Sequence, residues 1–235
     1  MKVAAIIPAA GKGKRMGHTT PKHFIHLEGK PILAYTLEAF EKCPAVDYVL
    51  MVVRSGEEEY CLSEVVERYG IKKVLRIVIG GEKRQDSVYN GIKELDEDTD
   101  IVVVHDGVRP FVAPEMISET IKLAMYVDGV VAALPVKDTL KEVSEEGLIK
   151  GTPHREAMWY AQTPQTFKKR VLEEAFIRAY NDGFYGTDES SLVERMGGKV
   201  RIIEGSPENI KITTKEDLLH AEHILRMRRK KREGS

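Results

Sequence analysis

The chain has 235 residues, of which 42% are hydrophobic and 31% charged, and its 36 Lys and Arg nearly cancel its 37 Asp and Glu. That length suits one large domain or two small ones, and the even balance speaks against a nucleic-acid binder or an acidic tail, so any basic site must be local. No apolar run approaches the ~18 residues that span a bilayer, the N-terminus lacks the layout of a signal peptide, and Cys43 and Cys61, without metal-like spacing, suit a reducing, cytoplasmic setting.

In chain order, VAAIIPA (residues 3–9) is continuously apolar and predicts a buried strand. PILAYTLEAFEKC (31–43) sets Ile32, Leu33, Leu37 and Phe40 at helical spacing, with Pro31 in the first turn. A second strand, YVLMVV (48–53), precedes a helix over EEEYCLSEVVERYG (57–70) that Gly70 closes. VLRIVI (74–79) is a third strand, and GGEKRQDSVYNGIKEL (80–95) a glycine turn entering a helix. DIVVVHD (100–106), APEMISETIKLAMYV (113–127) and GVVAALPV (129–136) continue as strand, helix, strand.

Residues 137–165 break the rhythm. TLKEV, the polar turn SEEG and LIKGT (139–152) have a hairpin pattern too polar for core. They read as an arm projecting from the sheet, and composition alone makes it a passive surface hairpin. Helical patterns resume in KKRVLEEAFIRAY and TDESSLVERMG, followed by a strand KVRIIEG and a helix KEDLLHAEHILRM. The basic end, RMRRKKREGS, reads as a solvated tail favoured at a helix C-terminus. Without repeats or a dividing linker, residues 1–235 form a single domain with an arm at about 137–157. The fold expected is α/β and Rossmann-like: a mainly parallel twisted sheet with helices on both faces.

Ligands of such sheets bind at the carboxyl ends of strands. After the first strand stand Gly11, Gly13 and Gly17 among Lys12, Lys14, Arg15, His18 and Lys22. Glycines let backbone approach a ligand and aim N–H groups at anions. The spacing is neither a Walker A loop nor a dinucleotide fingerprint, because the third glycine falls at 17 instead of 16. The excess of cations points to several phosphates. After the third strand, Gly80 and Gly81 allow close approach, and Ser87 fits either ordinary capping or a ligand contact. After the fourth, Asp106 suits Mg²⁺, with Arg109 three residues on able to pair with it. No Ser-His-Asp or Cys-His set is evident. That suits a reaction in which one phosphate attacks another, since its nucleophile is already ionised and catalysis becomes positioning and charge neutralisation.

PAAGKGKRMG…PK, GGEKRQDSV, VHDGVRPF, PVKDT, WYAQTPQTF, TDES and NIKITT occur in this order between about residues 3 and 225. Together they resemble the 2-C-methyl-D-erythritol 4-phosphate cytidylyltransferases, nucleotidyltransferases of the non-mevalonate isoprenoid pathway. The resemblance implies CTP and the polyol phosphate as substrates, Mg²⁺ as cofactor, and neither nucleic acid nor membrane as partner. It implies that Arg15, Lys22 and Lys211 act on the phosphates. Ala9, Ala10, Gly11, Gly81, Glu82, Ser87, Asp106 and Gly107 would bind the nucleotide, with Asp106 also meeting the metal. Gly107 departs from the alanine more usual there. Arg109, Thr139, Arg155, Thr163 and Thr187 would grip methylerythritol phosphate. The arm becomes a homodimerisation hairpin, with Thr139 and Arg155 completing the other subunit's site. A sister family, the ribitol 5-phosphate cytidylyltransferases, shares many of these motifs.

Overall fold

The structure is a computed structural model and describes residues 1–11 and 24–233. Its first strand, β1 (Lys2–Pro8), is buried along its centre, as expected of a strand covered on both faces. A two-residue hairpin, β2 (His26–Leu27) and β3 (Lys30–Pro31), leads into α1 (Ile32–Glu41). Pro31 caps this helix from outside instead of standing in its first turn. β4 (Tyr48–Val53) follows, then α2 (Glu58–Cys61), which widens into a π-helical stretch at Leu62–Glu67 where one continuous α-helix was expected. Gly70 ends it with φ +64, the left-handed conformation that glycine adopts without penalty. Next come β5 (Val74–Ile79), α3 (Arg84–Lys93), β6 (Thr99–Val104), α4 (Pro114–Ala124) and β7 (Gly129–Pro135).

The arm is a hairpin, as its pattern predicts: β8 (Glu142–Val143) pairs antiparallel with β9 (Ile149–Gly151). Val143, Leu148 and Ile149 are 55%, 67% and 65% exposed, so its apolar side chains find little cover on their own chain. The chain then enters β10 (Trp159–Lys168), α5 (Lys169–Asn181), α6 (Glu189–Arg195), β11 (Val200–Glu204) and α7 (Lys215–Glu233). The basic end is thus largely helical, and it is engaged. Arg228 donates to Glu208 at 2.8 Å and to the Phe111 carbonyl at 3.0 Å, and Arg229 pairs with Glu28.

Among the described residues the main sheet has seven strands in the order β11-β7-β10-β6-β1-β4-β5. All neighbours are parallel except β10, which runs antiparallel between β6 and β7. No strand was expected here, where Gln162, Thr163, Gln165 and Thr166 interrupt any apolar run. Their polar groups are satisfied inside. Gln165 donates to Asp188 at 2.7 Å and accepts from the Ser190 amide at 3.0 Å, while Thr166 donates to Thr120 at 2.8 Å. Pro164 falls where the β10–β7 register shifts, so its missing N–H interrupts no ladder bond.

One apolar layer packs α1, the α2 region and α4 on one face, and a second packs α3, α5 and α6 on the other. A third cluster gathers Leu27, Ile32, Val108, Phe111 and Ile212 beneath α7. Among the described residues no helix is long and apolar enough to cross a membrane. The chain leaves β1 to build β4 and β5 on one side, then returns to lay β6 on the other. The switch point, and the crevice that accompanies it, therefore lies at the carboxyl ends of β1 and β6.

Phe167 sits fully buried near the C-terminal end of β10, against the position where a side chain on Gly129 would strike its ring at 2.5 Å. Phe167→Ala should lower unfolding free energy by about 3–5 kcal/mol, read from urea denaturation. A loss below about 1 kcal/mol would mean that this strand does not organise the core.

Candidate active site

A cavity of about 400 Å³ opens at this switch point. Ala9, Ala10 and Gly11, after β1, form one wall; Gly80 to Arg84 and Ser87, after β5, form another. Asp106 and Lys211 close the base, and Arg54, Ser55 and Val108 contribute to the rim. The glycine turn is tightly made. A Cβ on Gly80 would lie 2.6 Å from the Ala10 Cβ, and one on Gly81 2.3 Å from that of Asp86, so neither position admits a side chain without a shift. The Gly81 amide donates to Ser87 Oγ at 3.1 Å, and that hydroxyl donates back to the Lys83 carbonyl at 3.1 Å. Ser87 thus pins the turn, the structural half of its two expected roles.

Asp106, two residues beyond β6, is buried and meets three cations. Arg84 Nε reaches Oδ1 at 3.2 Å; Arg109 Nε at 3.4 Å and Lys211 Nζ at 2.8 Å reach Oδ2. Arg84 also forks onto Glu189, donating at 2.6 and 3.0 Å. Burial alone would raise the Asp106 carboxyl, but Arg84, Lys211 and Arg109 outweigh it and hold it well below the usual carboxylate range. For Arg84, burial is likewise outweighed by Glu189 and Asp106, which keep the guanidinium above its ordinary value. Burial lowers Arg109, and Asp106 offsets only part of that. Two carboxylates facing three cations leave a surplus positive charge at the cavity floor, which favours an anion.

Beneath Asp106 lies a polar layer. The Asp106 amide donates to Thr163 Oγ1 at 3.1 Å, and the same hydroxyl is 3.0 Å from His105 Nδ1. The Asn209 side-chain amide donates to the Thr163 carbonyl at 2.8 Å, and the Asn209 backbone carbonyl accepts from Arg109 at 2.8 Å. Thr163 and Arg109, both expected to grip the acceptor, are thus engaged in holding Asp106 and its surroundings. Gly107 stands behind the cavity wall. A Cβ there would come 3.1 Å from Leu33 and 3.3 Å from Ala9, so an alanine at this position needs only a small concession.

The other sequence-predicted residues divide clearly. Glu82 and Lys211 border the cavity with Ala9, Ala10, Gly11, Gly81, Ser87 and Asp106. Thr139, Arg155 and Thr187 are exposed and do not line it. Arg155 donates to the Lys137 carbonyl at 2.9 Å, bracing the base of the arm. Arg15 and Lys22 lie outside the described residues. The sequence did not single out Arg84, Glu189, His105 or Asn209. All four stand inside quoted segments, GGEKRQDSV, TDES, VHDGVRPF and NIKITT, but only the fold joins them.

Among the described residues, no group of three or more His, Cys, Asp or Glu side chains could hold a metal ion. Asp106 nevertheless offers the hard, always-ionised oxygen that Mg²⁺ prefers. Of its three cations Lys211 is the most open to solvent, at 36% side-chain exposure, and so the best placed to serve phosphates as well.

A mainly parallel sheet with a glycine-lined, cationic crevice at its switch point is the architecture of a Rossmann-like nucleotidyltransferase. Residues 3–227 match the family model "IspD: 2-C-methyl-D-erythritol 4-phosphate cytidylyltransferase", and the chain belongs to this family. It is 47% identical over 228 residues to the enzyme of that name from Geotalea uraniireducens, covering 96% of this chain and 97% of the other. Its counterpart from Alkaliphilus metalliredigens is 46% identical, covering 97% and 95%. Among solved structures, 4-diphosphocytidyl-2C-methyl-D-erythritol synthase from Anaerococcus prevotii superposes with TM-score 0.85 at 32% identity, covering 96% of each chain. The Thermus thermophilus cytidylyltransferase gives 0.78 at 32% identity, covering 96% of this chain and 100% of the other.

His105 supplies a test of the buried layer. Burial, only partly opposed by the hydrogen bond to the Arg109 backbone, lowers its imidazole from 6.5 to about 4. Between those values the unfolded chain binds the proton that the folded chain refuses. Stability should therefore fall as the pH drops from about 6.5 to about 4, at ~1.4 kcal/mol per unit at most, and this contribution levels off below. Urea denaturation across this range measures the slope, and His105→Gln should flatten it. An equal slope in the variant would mean that His105 is not held neutral.

Proposed function

We propose that the chain transfers CMP from CTP to 2-C-methyl-D-erythritol 4-phosphate. Pyrophosphate is released and 4-diphosphocytidyl-2-C-methyl-D-erythritol forms, a step of the non-mevalonate isoprenoid pathway. Family membership over residues 3–227 supports the reaction. The observation that carries the chemistry is the Asp106 cluster, three cations around one carboxylate on the cavity floor.

The acceptor's phosphate oxygen attacks the α-phosphorus of CTP, and the bond to the bridging oxygen of pyrophosphate breaks. The nucleophile carries its charge already, so no general base is required. Lys211, with Arg15 and Lys22 from the glycine loop, would neutralise charge that builds on the α-phosphoryl group. Mg²⁺ would be held by Asp106 and the nucleotide phosphates and would supply further neutralisation. Ala9, Ala10, Gly11, Gly81, Glu82 and Ser87 would receive the base and ribose, with Asp106 and Gly107 beside the ribose. Arg109, Thr139, Arg155, Thr163 and Thr187 would take the acceptor.

The exposed apolar side chains of the arm support its role in a homodimer. There, Thr139 and Arg155 would serve the site of the other subunit. Ion pairs such as Arg228 with Glu208 and Arg226 with Glu222 engage the basic end within the chain, which favours a structural use over nucleic-acid binding. Both cysteines are buried and form no disulfide, in keeping with a cytoplasmic enzyme.

Pyrophosphate release, measured with CTP or UTP against methylerythritol phosphate or ribitol 5-phosphate, tests the reaction. CTP with methylerythritol phosphate should exceed every other pair by ~10²-fold or more in kcat/KM. Preference for ribitol 5-phosphate would assign the chain to the sister activity instead.

Subunit mixing tests the shared site. Lys22→Ala and Arg155→Ala homodimers should each be inactive. Exchanged together they should recover about a quarter of wild-type activity, because half of the dimers are mixed and each holds one intact site. No recovery after proven exchange would place Arg155 in its own chain's site or in none.

A further inference from the structure

The turn that enters α3 is bound on its far side to a second segment. Four successive side chains, Lys83 to Asp86, all reach residues 184–189, the stretch that carries Thr187. The Lys83 ammonium lies 3.5 Å from the centre of the Tyr185 ring. Arg84 forks onto Glu189. Gln85 donates to the Phe184 carbonyl at 3.2 Å and accepts from the Gly186 amide at 2.9 Å. Asp86 accepts from the Tyr185 hydroxyl at 3.1 Å while also capping α3 through the Lys83 amide at 3.0 Å.

Successive residues of a helical turn point in different directions. A segment that meets all four must therefore wrap around the helix end, and its position is set from several sides at once. The Arg84–Glu189 contact is the costliest of the set. Glu189 is only 1% exposed, and a buried ion pair is frequently no more stabilising than apolar side chains of the same size. Such a pair earns its place by fixing geometry. Here it joins Asp106, on the cavity floor, to the first residue of α6, two positions beyond Thr187.

We infer that Arg84 and Glu189 are positioning residues that hold the Thr187 segment in register with Asp106, so that the acceptor is presented correctly to the bound nucleotide. The inference rests on the reaction proposed above and on Thr187 as an acceptor contact. Arg84 borders the nucleotide cavity but acts through Glu189, and Glu189 through the segment it begins.

The test is to measure KM separately for CTP and for methylerythritol phosphate in wild type, Glu189→Gln and Tyr185→Ala, with thermal unfolding as a check on the fold. Glu189→Gln removes the charge and keeps the shape, leaving Arg84 on Asp106. It should raise the acceptor KM ~10-fold or more while the CTP KM stays within about threefold. Tyr185→Ala alters a ring 43% exposed, so the core should survive it, and the acceptor KM should rise about threefold. If Glu189→Gln fails to fold, Tyr185→Ala decides alone. Unchanged acceptor KM, or equal rises for both substrates, would overturn the inference. A wild type inactive with this acceptor would overturn the reaction and the inference with it, whereas an active wild type with unselective variants overturns the inference alone.

Discussion

A carboxylate buried at the end of a parallel strand has to be compensated, and Asp106 is compensated three times over. Its partners arrive from three separate places: Arg84 from the first turn of α3, Arg109 from the loop after β6, and Lys211 from the segment after β11. Arg109 locks the loop that Asp106 itself occupies, while Arg84 and Lys211 come from two other segments, so holding Asp106 also fixes those segments relative to its own loop. Burial raises the energetic stake of every contact, since removing one partner from a buried charge leaves desolvation unmatched. The surplus positive charge that remains is directed at the place where the topology opens a crevice.

The strand that supports this arrangement is the irregular one. β10 runs against the direction of its neighbours and brings Thr163 under Asp106, where one hydroxyl serves both the Asp106 amide and His105. Asn209 ties the same strand to the segment bearing Lys211 through the Thr163 carbonyl. Beyond it, α7 packs on the third apolar cluster, and its basic end pairs with Glu208 and Glu28. A run of charge that composition assigns to solvent therefore helps tie α7 to the segments that carry Glu208 and Glu28.

Much of the sheet was legible because a strand covered on both faces carries an unbroken apolar run, and β1, β4, β6 and β7 each contain one. The glycine turn at 80–81 was legible because close approach excludes a side chain, and Asp106 because a carboxylate at a strand end is conspicuous. β10 was not legible. Its glutamines and threonines are satisfied by partners such as Asp188, Ser190 and Thr120, distant in sequence, and a local reading cannot supply them. The π-helical stretch at 62–67 escaped for a related reason, since its apolar spacing suits an ordinary helix nearly as well. The pairing of Arg84 with Glu189 spans 105 residues and becomes visible only once β10 and α6 are in place. Thr139, Arg155 and Thr187 were expected to take the acceptor on resemblance alone, and in a single chain they stand exposed outside the cavity.

The central claim is that the Asp106 charge organises the cations on which phosphoryl transfer depends. Its most direct test is the turnover of Asp106→Asn, followed by pyrophosphate release from CTP and methylerythritol phosphate over a range of Mg²⁺ concentrations. Asparagine keeps the size of the side chain and removes the charge. The expected result is a fall in kcat of ~10²-fold or more, together with a higher Mg²⁺ requirement. Turnover and magnesium dependence like those of the wild type would contradict the account.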